Sequence, residues 1–166
     1  AVVGALWFLI FTGSLTFHWI NALPGVSIGT LVLAYALLAI LCFIIVMALP
    51  FIRARFHNQF EIAHRFGGWS ALLLFWVQSV WFINDQRGDV ALTDALITTL
   101  AFWLLIVISF SIALPWMRLR KVAVKIEKPS SHVTLVRFNH GVTPFAGSST
   151  AISRSPLLEW HSFANV

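Results

Sequence analysis

Four long apolar stretches organise the chain, at residues 1–20, 26–52, 60–84 and 95–117. A helix needs about 20 such residues to cross a hydrocarbon core, so each predicts a membrane-spanning helix. The third is uncharged from Phe66 to Ile83, and its helix is placed from Phe60 onward. The connectors carry turn chemistry. Residues 21–25 read Asn-Ala-Leu-Pro-Gly, in which Pro and Gly both punctuate helices. Pro50 stands near the end of the second stretch, where a kink or stop costs least. Residues 84–89, Asn-Asp-Gln-Arg-Gly-Asp, predict a polar hairpin, and Thr93 with Asp94 offers N-caps for the fourth helix. Pro115 precedes the exit of that helix. Beyond Met117 the period changes. Val122, Val124 and Ile126 alternate with Ala123, Lys125 and Glu127, the pattern of a half-buried strand. Residues 129–131 form a turn, 133–138 a second strand rich in β-branched residues, and 139–141 another turn. Residues 118–166 thus predict the opening of an antiparallel β domain. Too few strands are present to close a core, so the domain is expected to continue past Val166.

Charge placement sharpens this picture. Of the 166 residues, 59% are hydrophobic and 10% charged, against about 25% charged in a soluble domain. Between Ala1 and Ile52 there is no Lys, Arg, Asp or Glu. The net charge of +5 sits beside the ends of the apolar runs and forms no contiguous basic face, which argues against nucleic acid and for the lipid bilayer as partner. Arg53, Arg55 and Arg65 lie between the second and third stretches, and Arg118, Arg120, Lys121, Lys125 and Lys128 follow the fourth. Arg87 in the remaining polar connector is offset by Asp85 and Asp89. The positive-inside rule then places the first two groups, and the β domain, in the cytosol. Cys42 is alone in an apolar run and reads as a small hydrophobe. The chain opens without Met or a basic lead, unlike a signal peptide, and is expected to be preceded by more sequence.

Two segments carry chemistry. At the entrance to the third helix, His57, Glu61, His64 and Arg65 recur at i, i+3 and i+4, where side chains on a helix are neighbours and can form one charge network. Ionisable groups at a membrane boundary point to function; equally, they anchor and cap a helix at headgroup level, with Arg65 snorkelling. A bis-imidazole haem needs one histidine on each of two facing helices at one depth. His18 lies at the far end of the first stretch, opposite His57 and His64 across a core about 30 Å thick. His57 and His64 are themselves separated by roughly 10 Å along one helix. A haem is therefore not expected within these residues, although upstream spans could supply a partner.

The second segment runs Ser155-Pro-Leu-Leu-Glu-Trp-His-Ser-Phe-Ala. Several spans, a basic exit and then a β domain with Leu-Leu-Glu-Trp-His-x-Phe resemble the ferric reductase and NADPH oxidase superfamily. The resemblance implies a ferredoxin-reductase-type β-barrel that binds FAD, with a His-Pro-Phe-Thr/Ser motif at the isoalloxazine. Here His161, Ser162, Phe163 and Ala164 occupy those places. Phe163 would pack on the flavin and His161 hydrogen-bond it, while Glu159 and Trp160 fix the strand. Phe145-Ala-Gly147 would be the family's preceding strand. Ser162 replaces the Pro, and Ala164 replaces a hydroxyl residue expected near flavin N5 and cannot donate. At the spacing of that superfamily's haem histidines, Val77 and Gln78 stand beyond His64. Phe-Glu-Ile-Ala-His-Arg-Phe-Gly-Gly-Trp, ending at Trp69, more closely resembles a fungal haem-less subgroup. Its members stand alone, linked to asexual development, or form the C-terminal part of adenylate-forming, nonribosomal-peptide-synthetase-like proteins.

The resemblance implies part of a membrane-bound flavoprotein oxidoreductase that moves electrons from NAD(P)H through FAD. The nicotinamide domain would lie in the missing remainder, so this segment alone is not expected to complete a hydride transfer. A non-catalytic sensor or scaffold that kept the architecture and lost its redox centre is the alternative. A transporter is disfavoured by the lack of internal repeats or a broken helix pair. The electron acceptor, the membrane and the oligomeric state are not encoded legibly.

Overall fold

The computed structural model describes residues 2–139, 141, 145 and 147–164, with the backbone alone at Ala164. In order they form α1 (Val2–Ile20), α2 (Ile28–Met47), α3 (Pro50–Arg55), α4 (His57–Gln86), α5 (Leu92–Thr98) and α6 (Leu100–Met117), then β1 (Val124–Glu127), β2 (Leu135–Phe138), β3 (Ser149–Ile152) and β4 (His161–Ala164). The chain divides into two compact units, Ala1–Phe110 and Ser111–Val166.

Four helices, α1, α2, α4 and α6, are long and apolar enough to cross a membrane. They turn large side chains outward. Trp7 is 68% exposed, Leu73 65% and Leu100 71%. A helix apolar on every side is stable only in an apolar surrounding. What is buried is a narrow seam where α2 packs between α1 and α4. Leu15, Leu31 and Ala34 form its centre, with Phe8, Phe11, Val26 and Phe82 packed against them. Phe8 meets Phe75 edge-on at 5.3 Å, and Phe11 meets Phe82 at 5.4 Å. A Cβ on Gly29 would lie 2.8 Å from the Trp81 indole, and one on Gly67 3.0 Å from Ile44. These two glycines therefore allow α2 and α4 to approach closely at both ends of their contact. Helix α6 is joined to α4 through Trp76, which donates from Nε1 to Ser109 Oγ at 2.9 Å and meets Phe102 edge-on.

Three helix boundaries differ from the sequence reading, each for a local reason. The second stretch does not run as one helix to Ile52. It stops at Met47, because Leu49, preceding a proline, is extended (ψ 136°), and Pro50 opens α3 at its first position. The expected hairpin at 84–89 is helical in its first half, Asn84 to Gln86, and turns only beyond it. Helix α4 continues through Gln86, with Gly88 at φ +57° just beyond its end. The fourth stretch is interrupted at Thr99, which is extended (φ −90°, ψ 123°) between α5 and α6. Thr98 Oγ1 donates to Asp94 O at 2.8 Å, Thr99 Oγ1 to Ala95 O at 2.7 Å, and Trp103 Nε1 to Ile97 O at 2.8 Å. The Thr99 hydroxyl and the Trp103 indole thus satisfy the Ala95 and Ile97 carbonyls that the break would orphan. Ala91, not Thr93 or Asp94, stands at the cap of α5, and it makes no side-chain bond.

In the second unit, β1 pairs antiparallel with β2 in the register Lys125↔Arg137 and Glu127↔Leu135. Glu127 takes ion pairs from Lys125 at 3.2 Å and Arg137 at 3.3 Å. Strand β3 pairs antiparallel with β4. These are two separate two-stranded sheets, and no barrel closes among the described residues. β2 begins at Leu135, later than the expected 133, after a bend in which His132 N donates to Ser130 Oγ. Asn139 Oδ1 accepts from Gly141 N at 2.9 Å, the side-chain turn its sequence implied. His140 between them lies outside the described residues.

Candidate functional site

The strand β4 carries His161, Ser162, Phe163 and, by its backbone, Ala164. Its register sets Ile152 opposite His161, Thr150 opposite Phe163, Ala151 opposite Ser162 and Ser149 opposite Ala164. Side chains alternate across a strand, so His161 and Phe163 share one face with Ile152 and Thr150, and Ser162 points to the other. The connecting segment is wound by Leu158 N and Glu159 N, which both donate to Ser155 O, while Trp160 Nε1 donates to Pro156 O at 2.8 Å. Trp160 thereby fixes the turn, and Glu159 comes within 3.4 Å of His161 Nε2. The His161 side chain is 61% exposed and Phe163 49%. An aromatic ring and an imidazole thus stand accessible on one face, a chemistry that fits a planar, hydrogen-bonding ring such as flavin. Phe145 and Gly147 are not in a strand. Ser148 donates from both N and Oγ to Phe145 O, and Gly147 at φ +81° completes a turn into β3. Ala146 lies outside the described residues.

At the start of α4, His57 Nε2 lies 3.5 Å from Glu61 Oε1, one turn along. His64 stacks obliquely on Phe60 at 5.5 Å, and the Arg53 guanidinium sits 5.9 Å from that same ring. Arg53 on α3 and His64 on α4 thus share Phe60 between them. Arg65 also has an interaction of its own. Among the described residues no three His, Cys, Asp or Glu side chains converge as a metal site.

The best-organised polar cluster lies at the opposite end of α4. Asp85 Oδ2 accepts from Ser27 N at 2.9 Å and from Thr30 Oγ1 at 2.5 Å. Ser27 caps α2, its Oγ accepting from Thr30 N at 3.3 Å and from Trp81 Nε1 at 3.1 Å. A carboxylate from one helix thus closes the N-terminus of another, where unpaired N–H groups and the helix dipole favour negative charge. One layer deeper, Gln78 is 3% exposed, and neither its amide nitrogen nor its oxygen has a hydrogen-bond partner among the described residues. It is flanked at i−3 and i+4 by Phe75 and Phe82, the rings that meet Phe8 and Phe11 of α1. In the sequence Asp85 reads as part of a turn and Gln78 only as a residue that cannot ligate haem. The apolar spacing of 71, 75, 78 and 82 was the available signal that Gln78 faces inward.

No protein-family profile matches the chain, and neither does any solved structure. Two curated relatives do. Adenylate-forming reductase 03009 of Coprinopsis cinerea is 42% identical over 166 residues, covering 99% of this chain. Adenylate-forming reductase 06235 of the same fungus is 38% identical over 162 residues, covering 97%. The chain spans 16% of the length of each. Nearly the whole of it is thus similar to one segment of much longer fungal proteins that are named as adenylate-forming reductases.

Proposed function

We propose that this chain is the membrane anchor and the opening of a flavin-binding domain in a fungal reductase, serving electron transfer from a nicotinamide cofactor through FAD. The observation that carries the reading is the hairpin β3–β4, which presents His161 and Phe163 together on one accessible face, in a chain similar over nearly its full length to named reductases. The outward apolar surface of α1, α2, α4 and α6 supports a bilayer as their solvent. The positive-inside rule favours Arg53, Arg55 and Lys121 on the cytosolic side and the Asp85 cluster on the other.

Bound flavin would supply a two-electron acceptor for hydride. The chain's own part is to bind and orient it: Phe163 offers a ring for stacking, and His161 a hydrogen bond whose direction Glu159 helps set. Ala164 brings no hydroxyl to flavin N5, so no proton or hydrogen bond at that atom is assigned to this strand. The same replacement favours a second reading, a membrane scaffold that retains the architecture without redox turnover. The test is bound flavin per chain in the purified full-length parent and in its His161→Ala/Phe163→Ala variant. Stacking contributes about 0.5–1.5 kcal/mol and a hydrogen bond to a charged group about 1.5–3 kcal/mol. Loss of both is expected to weaken flavin binding by about a hundredfold, at about 1.4 kcal/mol per tenfold. Flavin in the wild type that the variant retains in full would dismiss these residues as its site.

A further inference from the structure

A groove of about 390 Å³ runs between the end of α4 and the α5–α6 break. Phe82, Ile83, Val90, Ala95 and Ala101 give it apolar walls, and Gln86, Arg87, Thr98 and Thr99 give it a polar end. Its volume falls in the about 300–1,000 Å³ range of small-molecule pockets. Two features distinguish it from a chance gap between helices. The break at Thr99 places non-helical backbone on its wall, just before the apolar helix α6 begins at Leu100, and non-helical backbone near a bilayer is tolerated where it lines a cavity. The second feature is Arg87. Its Nε donates to Asn84 Oδ1 at 2.9 Å and its Nη1 to Val90 O at 2.8 Å, which holds the guanidinium in one orientation. No carboxylate pairs with it among the described residues, so the Nη2 donors stay uncommitted.

We propose that this groove binds a long-chain monocarboxylate, its head on Arg87 and its chain along Phe82, Ile83 and Ala95. A guanidinium fork matches a carboxylate geometrically. Arg87 is a single positive charge with Asp85 and Asp89 two residues to either side. With two carboxylates about one cation the surroundings already lean negative, which weighs most against a phosphate, the ligand that brings more charge and asks for more donors. The inference concerns the helical unit alone and does not depend on the flavin reading.

The test is equilibrium binding of radiolabelled palmitate to the full-length parent in detergent, with hexadecanol and hexadecyl phosphate as competitors. Palmitate should bind, hexadecyl phosphate should compete more weakly, and hexadecanol more weakly still. Arg87→Gln should weaken palmitate binding about ten- to a hundredfold, the loss of one charge-assisted hydrogen bond. Ala95→Leu, which fills the groove and leaves Arg87 in place, should abolish binding while the protein elutes as a single gel-filtration peak. Equal competition by hexadecanol, stronger competition by hexadecyl phosphate, or unchanged affinity in either variant would overturn the proposal.

Discussion

Asp85 is the residue whose loss the helical unit should feel most. Its carboxylate accepts from Ser27 N and Thr30 Oγ1, and it lies at the N-terminus of α2. Hydrogen bonds to charged groups contribute about 1.5–3 kcal/mol each, and a carboxylate at a helix N-terminus about 0.3–1 kcal/mol. Asp85 is only partly buried, and Ser27 Oγ still caps Thr30 N after its removal. The low end of each range applies, so Asp85→Ala should destabilise the unit by about 3 kcal/mol. Asp85→Asn keeps one acceptor oxygen and should cost about half as much. Asp89→Ala, at an exposed position, should stay within about 0.5 kcal/mol of wild type. Thermal unfolding of the purified parent in detergent gives the ranking. Hydrogen exchange at the amides of Ser27 to Leu31 gives the location, because only these should accelerate locally. If Asp85→Ala unfolds with Asp89→Ala, or exchange rises uniformly along the chain, the carboxylate does not hold α2 to α4.

Three further outcomes are expected. Gln78→Leu replaces a buried amide that has no partner among the described residues by an apolar group of similar size, and should raise stability by about 1–3 kcal/mol; a lower melting temperature would show that the amide is satisfied. Gly29→Ala drives a methyl into the Trp81 indole and should destabilise by about 1–3 kcal/mol, with a change in tryptophan fluorescence; wild-type stability and emission would contradict the close approach. A cysteine at Asp89 should react with an impermeant thiol reagent from the side opposite Arg53 and Lys121, and labelling from one common side would overturn the proposed sidedness.

Where the helices lie was legible because apolar runs uninterrupted by charge have few other structural solutions. Where they end was not. Residues 84–86 read as a turn since Asn, Asp and Gln punctuate helices locally, yet Asp85 is recruited into α4 by partners on α2 nearly the length of a helix hairpin away in sequence. Such long-range pairing leaves no periodic trace. The interruption at Thr99 depends on two hydroxyls bonding backward and on Trp103 reaching Ile97; two threonines in an apolar run do not announce it. In the β segment, alternation located β1, and the Leu-Leu-Glu-Trp-His run located β4. Phe145 and Gly147, by contrast, form a turn, because Gly147 takes a positive φ that a strand reading ignores. Strand alternation also separates Ser162 from His161 and Phe163, so a motif of four consecutive residues acts as two faces.

The proposed membership of a membrane-bound flavoprotein is open to a direct measurement, the absorbance spectrum of the purified full-length parent. The spectrum should show the two bands of oxidised flavin, near one flavin per chain, bleached on addition of a reduced nicotinamide cofactor and diminished in the His161→Ala/Phe163→Ala variant. A folded, monodisperse protein with no flavin absorbance, or with a stoichiometric Soret band in its place, would contradict it.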